Sequence, residues 1–355
     1  MSKISVAIVG MGRMGKTRLD GMTRHGGYEA VGLCDTAEKN LQGYDVPTFT
    51  DYRECIDECD PEAVVVCTYN AFIPDVVCYA LEGGRHVFSE KPPGRSLADA
   101  VRMRDCSREH PECVLKFGFN HRYHNSVIEA KNLVDSGLLG ELVCARGVYG
   151  KAGSSTFSSE WRNDRSLSGG GIMIDQGIHM LDLLSYFLGG FTKVKSSVGN
   201  LVWDSISTDD SAFAVLGNEQ GKIASLHSSA LQWRHKFNLD LICTEGFVSL
   251  NGLKTSTSSY GRESVTYYKK DLGLKTGGLG KPMEHTMYFD SDESWDHEHR
   301  EFYGAVREGR PIVNGTADEA VQIMSLIERI YSGGNEWRAN LRNPRRRRTW
   351  RTGTG

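Results

Sequence analysis

Hydrophobic and polar positions in the first third of the chain form short β-branched runs separated by helical stretches. Ile4 to Val9 alternates and is β-branched, which predicts a strand, and the helical stretch after it ends near Gly26-Gly27. A second strand is read over Glu29 to Cys34, and the unbroken apolar run Ala63 to Cys67 suits a strand buried on both faces. A helix from about Pro74 to Leu81 stops at Gly83-Gly84, and His86 to Phe88 is the next strand. Ser96, with Asp99 three residues later, caps a further helix before the strand Val114 to Phe119. Strands alternating with helices predict a parallel, doubly wound sheet.

Beyond residue 120 the rhythm changes. A helix, Ser126 to Ser136, closes at Gly137, and Leu142 to Val148 is a strand. Gly150 to Ser168 is a Ser- and Gly-rich loop. Gly169 to Leu188, GGGIMIDQGIHMLDLLSYFL, then predicts one helix that is apolar nearly all round and therefore buried. Its polar residues Asp175, His179 and Asp182 recur at helical offsets and share one face. Strands at 193–202, 211–217, 222–230, 237–244 and 247–251 predict an antiparallel meander. Residues 252–294 are polar and loop-rich. Two helices close the pattern, one from about Trp295 to Glu308 and one opened by the capping box of Thr316 and Glu319. The chain divides into 1–120, then 121–335, with the closing helices free to pack back on the first part, and a basic tail, 336–355.

Composition narrows this picture. With 355 residues, 39% of them hydrophobic and 25% charged, the chain suits two globular domains. A net charge of -3 gives no reason to expect nucleic acid or a membrane surface as partner, and no apolar run reaches membrane-spanning length. MSKISVAIVG leads straight into a strand and not a signal sequence. The nine cysteines include no C-x-x-C pair, and several lie in apolar runs. They read as reduced, buried thiols of a cytoplasmic protein. Cys55 and Cys59 share helical spacing without further clustered ligands, so no metal is expected. The Arg-rich tail reads as a disordered end.

Gly10-Met11-Gly12-Arg13-Met14-Gly15 is G-x-G-x-x-G directly after a strand and opening a helix. Gly10 allows the turn, Gly12 admits a pyrophosphate to the backbone, Gly15 lets the helix pack closely, and the helix N-terminus attracts the phosphates. Asp35, at the end of the second strand, falls about 20 positions beyond Gly15, the spacing of an acidic residue that holds a ribose. A carboxylate there accepts from both ribose hydroxyls of NAD and repels the 2′-phosphate of NADP, so NAD is favoured. Arg13 lies in the turn, within reach of phosphate. Thr68 and Asn70 follow the third strand at the ligand edge of the sheet, and Glu90 and Lys91 follow the fourth. By position alone Lys91 is equally a solvated surface lysine.

GMGRMG near the start, SEKPPG at 89–94 and GGGIMIDQGIHMLDLL at 169–184 together resemble the glucose–fructose oxidoreductase, inositol dehydrogenase and rhizopine-catabolism family (Gfo/Idh/MocA). The resemblance spans nearly the whole chain and includes the closing stretch 300–331. It implies an NAD(P)-binding Rossmann domain followed by an α/β domain with a large, mainly antiparallel open sheet. It also implies catalytic roles for Lys91, Asp175 and His179, and assembly as a homodimer or homotetramer. The segment CTYNAFIPD departs from the family's usual loop, and Pro93 replaces a commoner small residue.

Arg122, Tyr123 and His124 lie at the hand-over between domains, where the family places substrate; a polar hinge is the alternative. In the Gly150–Ser168 loop Trp161 offers a flat face to a sugar ring and Arg162 a grip for an anionic group. The expected activity is NAD-dependent hydride transfer at a secondary alcohol of a sugar derivative. His179 takes the proton, Lys91 steadies the oxygen and Asp175 orients or shares that proton. Arg122 and Arg162 favour a nucleotide-linked sugar over a free sugar or inositol. A dinucleotide-binding sensor without turnover is the rival from another class.

Overall fold

The computed structural model describes residues 3–270 and 283–333; the expected basic tail lies outside the described residues. The first unit runs β1 (Ile4–Val9), α1 (Arg13–His25), β2 (Tyr28–Cys34), β3 (Thr48–Phe49), α2 (Tyr52–Cys59), β4 (Ala63–Val66), α3 (Ile73–Glu82), β5 (His86–Glu90), α4 (Leu97–Glu109) and β6 (Leu115–Gly118). Its strands lie in the order β3-β2-β1-β4-β5-β6, all parallel, which is the dinucleotide-binding order. β3 and α2 were not read from the sequence, because a two-residue strand carries no periodicity. Local chemistry sets the helix ends. Gly26, at φ 74, closes α1 by donating to Met22 and Thr23, and Ser96 caps α4 by accepting from Asp99 N.

The second unit contains a 3₁₀ turn (Asn120–Tyr123), α5 (Asn125–Asp135), β7 (Leu142–Gly150), the short α6 (Arg165–Ser168) and a π-helical turn (Met173–Gly177) that runs into α7 (Ile178–Leu188). Then come β8 (Lys193–Gly199), β9 (Ser211–Gly217), β10 (Ile223–Ser229), β11 (Lys236–Cys243), β12 (Gly246–Asn251), β13 (Glu263–Lys269), β14 (His285–Phe289), α8 (Ser294–Glu308) and α9 (Ala317–Gly333).

Two expectations need correction here. The predicted meander is split: β7 sits between β10 and β11 in the order β14-β13-β12-β11-β7-β10-β9-β8, and pairs in parallel with β10. The region read as loop contributes β13 and β14 at the sheet edge, where β14 keeps no buried residue to mark its period. The single helix of 169–188 is also interrupted. Asp209 accepts from Gly171 N at 2.7 Å and Met173 N at 2.9 Å, and a Cβ at Gly171 would lie 2.0 Å from Asp209 O. Held at its start, the segment opens with a π turn before α7 begins.

The closing helices return to the first unit. α8 packs on α1, and Phe302 and Tyr303 share a core with Ile4, Val6, Ile8, Val65 and Phe88. α9 packs on α4 and β8, and the Thr316–Glu319 box forms, with Glu319 N donating to Thr316 Oγ1 at 3.2 Å. No described helix is long and apolar enough to cross a membrane. All nine cysteines are free, and among the described residues no group of His, Cys, Asp and Glu is arranged to hold a metal.

Candidate active site

The nucleotide edge forms where β1 and β4 end. Gly10 has φ +96, and a Cβ there would lie 2.6 Å from Cys67 C and 2.8 Å from Thr68 N. A Cβ at Gly15 would lie 2.1 Å from Gly10 O, so only glycine lets α1 start so close to the turn. At Gly12 nothing lies within 4 Å. The first turn of α1 has no side-chain cap and no acidic residue, so its N–H groups face open space. This cradle fits a dinucleotide pyrophosphate. Arg13 is exposed beside it and Met14 half-buried.

Asp35 accepts from Met11 N and Ala37 N, both at 2.8 Å, which fixes its carboxylate against the glycine turn. Replacing Asp35 by serine should shift the ratio of NADP to NAD affinity toward NADP by roughly ten- to a hundredfold, the worth of charge-assisted hydrogen bonds. Fluorescence titration of both cofactors measures this, and an unchanged ratio would remove Asp35 from ribose recognition.

Two other residues expected at this edge are engaged elsewhere. Asn70 Nδ2 donates to Ser168 O at 2.8 Å, tying the loop after β4 to the one before the π turn. The carboxylate of Glu90 is buried against Arg18, whose Nε lies 2.6 Å away. Thr68 is half-buried with its backbone against Gly10.

Lys91, at the end of β5, reaches across to the second unit. Its Nζ donates to Asp175 O at 2.7 Å and lies 3.8 Å from Asp175 Oδ1. The other carboxylate contacts are Arg162 Nε on Oδ1 at 3.1 Å and Lys151 Nζ on Oδ2 at 3.2 Å. Burial opposes ionisation of Asp175, yet Lys151, Arg162 and Lys91 outweigh it and hold the carboxyl well below its usual range. Burial lowers Lys91 despite Asp175 beside it.

His179 is 5% exposed, and its Nδ1 is buried without a protein partner. Its ring stacks on His121 at 3.7 Å between centroids with 19° between planes. Burial, with Lys91 and His124 nearby, drives His179 well below the ordinary histidine value. His121 is placed by Asn120 Oδ1 and the Tyr149 hydroxyl, each 3.1 Å from a ring nitrogen. Gln176 Nε2 donates to the Tyr260 hydroxyl at 2.7 Å, and Tyr260 packs on Tyr149. No hydrogen bond joins Asp175 to His179. The π turn carries the carboxylate to the loop cations, while His179 lies on α7 against His121.

The three residues expected to meet substrate at the domain hand-over do something else. Arg122 donates to both oxygens of Asp182, at 2.9 and 2.6 Å, and to Glu319 at 2.5 Å. It is a buried structural fork between α7 and α9, with no donor pair left to grip a diphosphate. Tyr123 accepts from Lys116 Nζ at 2.7 Å and donates to Glu301. His124 Nδ1 lies 2.9 Å from Glu263 Oε2, behind His121. Trp161 is half-buried, with the Tyr69 ring centroid 4.7 Å away and the Arg162 guanidinium 4.7 Å from its ring.

Lys151, His121, Tyr149 and Tyr260 are the site residues sequence reasoning missed. Lys151 had a signal, since it follows β7 at the start of the flexible-looking loop. Tyr260 had none, coming from the segment without periodicity.

With this geometry in view, comparison with known proteins is informative. A family described as "Oxidoreductase family, NAD-binding Rossmann fold" matches residues 4–118, and the "GFO/IDH/MocA C-terminal domain" matches residues 127–249. The chain is 31% identical to D-glucoside 3-dehydrogenase of Escherichia coli K12, over 93% of this chain and 95% of that one. It is 26% identical to inositol 2-dehydrogenase of Salmonella typhimurium LT2, over 52% and 54%. The solved structure of levoglucosan dehydrogenase with NADH superposes with a TM-score of 0.81 at 18% identity, covering 94% of this chain and 98% of that one.

Proposed function

Because the chain belongs to the Gfo/Idh/MocA oxidoreductase family, we propose that it moves a hydride between NAD and a secondary alcohol or ketone carbon of a sugar, glycoside or cyclitol. The observation that carries this reading is the meeting of Lys91 from the cofactor sheet with Asp175 from the second unit, Nζ to backbone oxygen at 2.7 Å. The relatives are named for a glucoside, inositol and levoglucosan. The case for a nucleotide-linked sugar rested on two arginines, and Arg122 is taken by Asp182.

NAD, when bound, supplies the hydride acceptor or, in reverse, the donor. His179 is neutral at neutral pH because burial and the neighbouring cations disfavour its charged form, so it is a competent base for the substrate hydroxyl. Lys91 meets the negative charge that develops on the oxygen as that proton leaves. Asp175, kept ionised by Lys151, Arg162 and Lys91, anchors the lysine from the opposite side. For assembly we propose a homodimer or homotetramer closed through the open sheet face, where Phe213, Val215 and Ile223 are each about half exposed. A monomeric mass by light scattering would oppose it.

The test is NADH absorbance against a panel of polyols, free sugars, glycosides and nucleotide sugars. Turnover of at least one class is expected; silence across the panel with freely exchanging NAD would sink the reading. The same assay across pH checks the base. A histidine lowered in the folded enzyme stays deprotonated to lower pH, so the acid limb of kcat/KM should fall below the ordinary value of 6.5. The alkaline limb, where Lys91 loses its charge, should fall below 10.5. An acid limb above 6.5 would exclude His179 as described.

A further inference from the structure

Around Asp175 the charges do not balance. Lys91, Lys151 and Arg162 face one carboxylate, so three cations meet a single anion and positive charge is in excess around it. The side chains are only 17%, 15% and 28% exposed respectively, a setting in which unpaired charge is costly. Glu90, on the same strand end, also favours the charge of Lys91, but its carboxylate is bound to Arg18 at 2.6 Å and it makes no ion pair with Lys151 or Arg162 among the described residues. The histidines here, 121, 179 and 235, are all pushed toward their neutral forms by burial and surrounding positive charge.

The donors are also incompletely used. Of the five N–H groups of a guanidinium, Arg162 engages Nε with Asp175, and its Nη nitrogens have no hydrogen-bond partner among the described residues. Lys151 makes the one bond to Asp175 at 3.2 Å, its Nζ lying 5.0 Å from the Phe157 ring centroid. The guanidinium rests on Trp161, which is itself packed by Tyr69 from the cofactor unit, so the plane of the fork is fixed in advance. The phosphates of the cofactor have a separate seat at the uncapped start of α1.

We infer that the substrate is an anionic sugar, carrying a carboxylate or phosphoryl group that Lys151 and Arg162 receive while the reacting carbon faces Lys91 and His179. This deepens the dehydrogenase reading and rests on it. Lys151 and Arg162 would then act twice, holding Asp175 and setting specificity.

Matched substrates test it: methyl glucoside against methyl glucuronide, and glucose against glucose 6-phosphate. For the wild-type enzyme, kcat/KM of a charged member should exceed that of its neutral partner by about tenfold or more, the worth of one charge-assisted contact. The uronate and phosphate arms tell the two anions apart. In Lys151→Met and Arg162→Met the charged substrate should lose about ten- to a hundredfold more than the neutral one. A purely structural role would depress both members alike and overturn the inference, as would NAD affinity falling in step with activity. Equal or better turnover of the neutral members also overturns it, yet leaves hydride transfer standing. Silence on all four members while a neutral polyol or cyclitol of the wider panel turns over overturns the inference, and silence across that whole panel, with NAD exchanging, defeats the underlying reading instead. The wild-type ratio decides even where a variant does not fold.

Discussion

Replacing Lys91 by methionine should lower kcat by about 10²- to 10⁴-fold while NAD affinity changes little. Methionine keeps most of the chain volume, so the loss isolates the ammonium. That group reaches from the first unit to the second, donating to Asp175 O at 2.7 Å. Without it, negative charge developing on the substrate oxygen meets only the neutral histidine pair. Asp175 should stay ionised, since Lys151 and Arg162 remain on its oxygens at 3.2 and 3.1 Å. A folded variant with intact NAD binding and more than a tenth of wild-type turnover would exclude the proposed role. Single-turnover NADH absorbance separates this loss from slow product release.

Arg18→Met should cost about 3–5 kcal/mol of folding stability, the range for removing one partner from a buried ion cluster. Arg18 is fully buried, with Nε 2.6 Å from Glu90 and Nη1 2.6 Å from Glu298, and its guanidinium lies 4.2 Å from the Phe88 ring and 4.6 Å from that of Trp295. Burial opposes its charge, but Glu298 and Glu90 outweigh that and raise its pKa. Methionine would replace the packing and abandon two carboxylates. Burial already raises Glu298 despite its partner, so the variant should take up protons more readily in the folded state. Its deficit should therefore be largest at neutral pH and shrink as pH falls through the raised carboxyl range. Urea unfolding at two pH values reads both effects; a loss below about 1 kcal/mol at neutral pH would show the cluster to be energetically idle.

What the sequence could disclose depended on whether a residue's partner was near in the chain. The parallel order, the glycine turn and the Thr316 cap follow from local spacing, and all are present. Lys91 was placed at a strand end by pattern and given a role only by resemblance. Asp182 looked like the third member of a functional stripe, but its partner is Arg122, 60 residues earlier, and periodicity cannot pair the two. The same blindness made Arg122 look free for substrate. The π turn is invisible for a similar reason: it is held by Asp209, which comes from a different strand approach. β14 escaped because an edge strand half open to solvent has no apolar alternation to read.

The core shared by β1, β4 and α8 bears on how this chain can be made. A ribosome releases β6 long before it releases Phe302 and Tyr303, which fill the same apolar cluster as Ile4, Val6 and Ile8. At about 5–20 residues per second, roughly 10–40 s separate the two events. During that interval one side of the nascent cofactor sheet lacks its cover. The first third of the polypeptide is thus a client of its own late segment, and a stop codon ahead of residue 294 would remove core and not trim a surface.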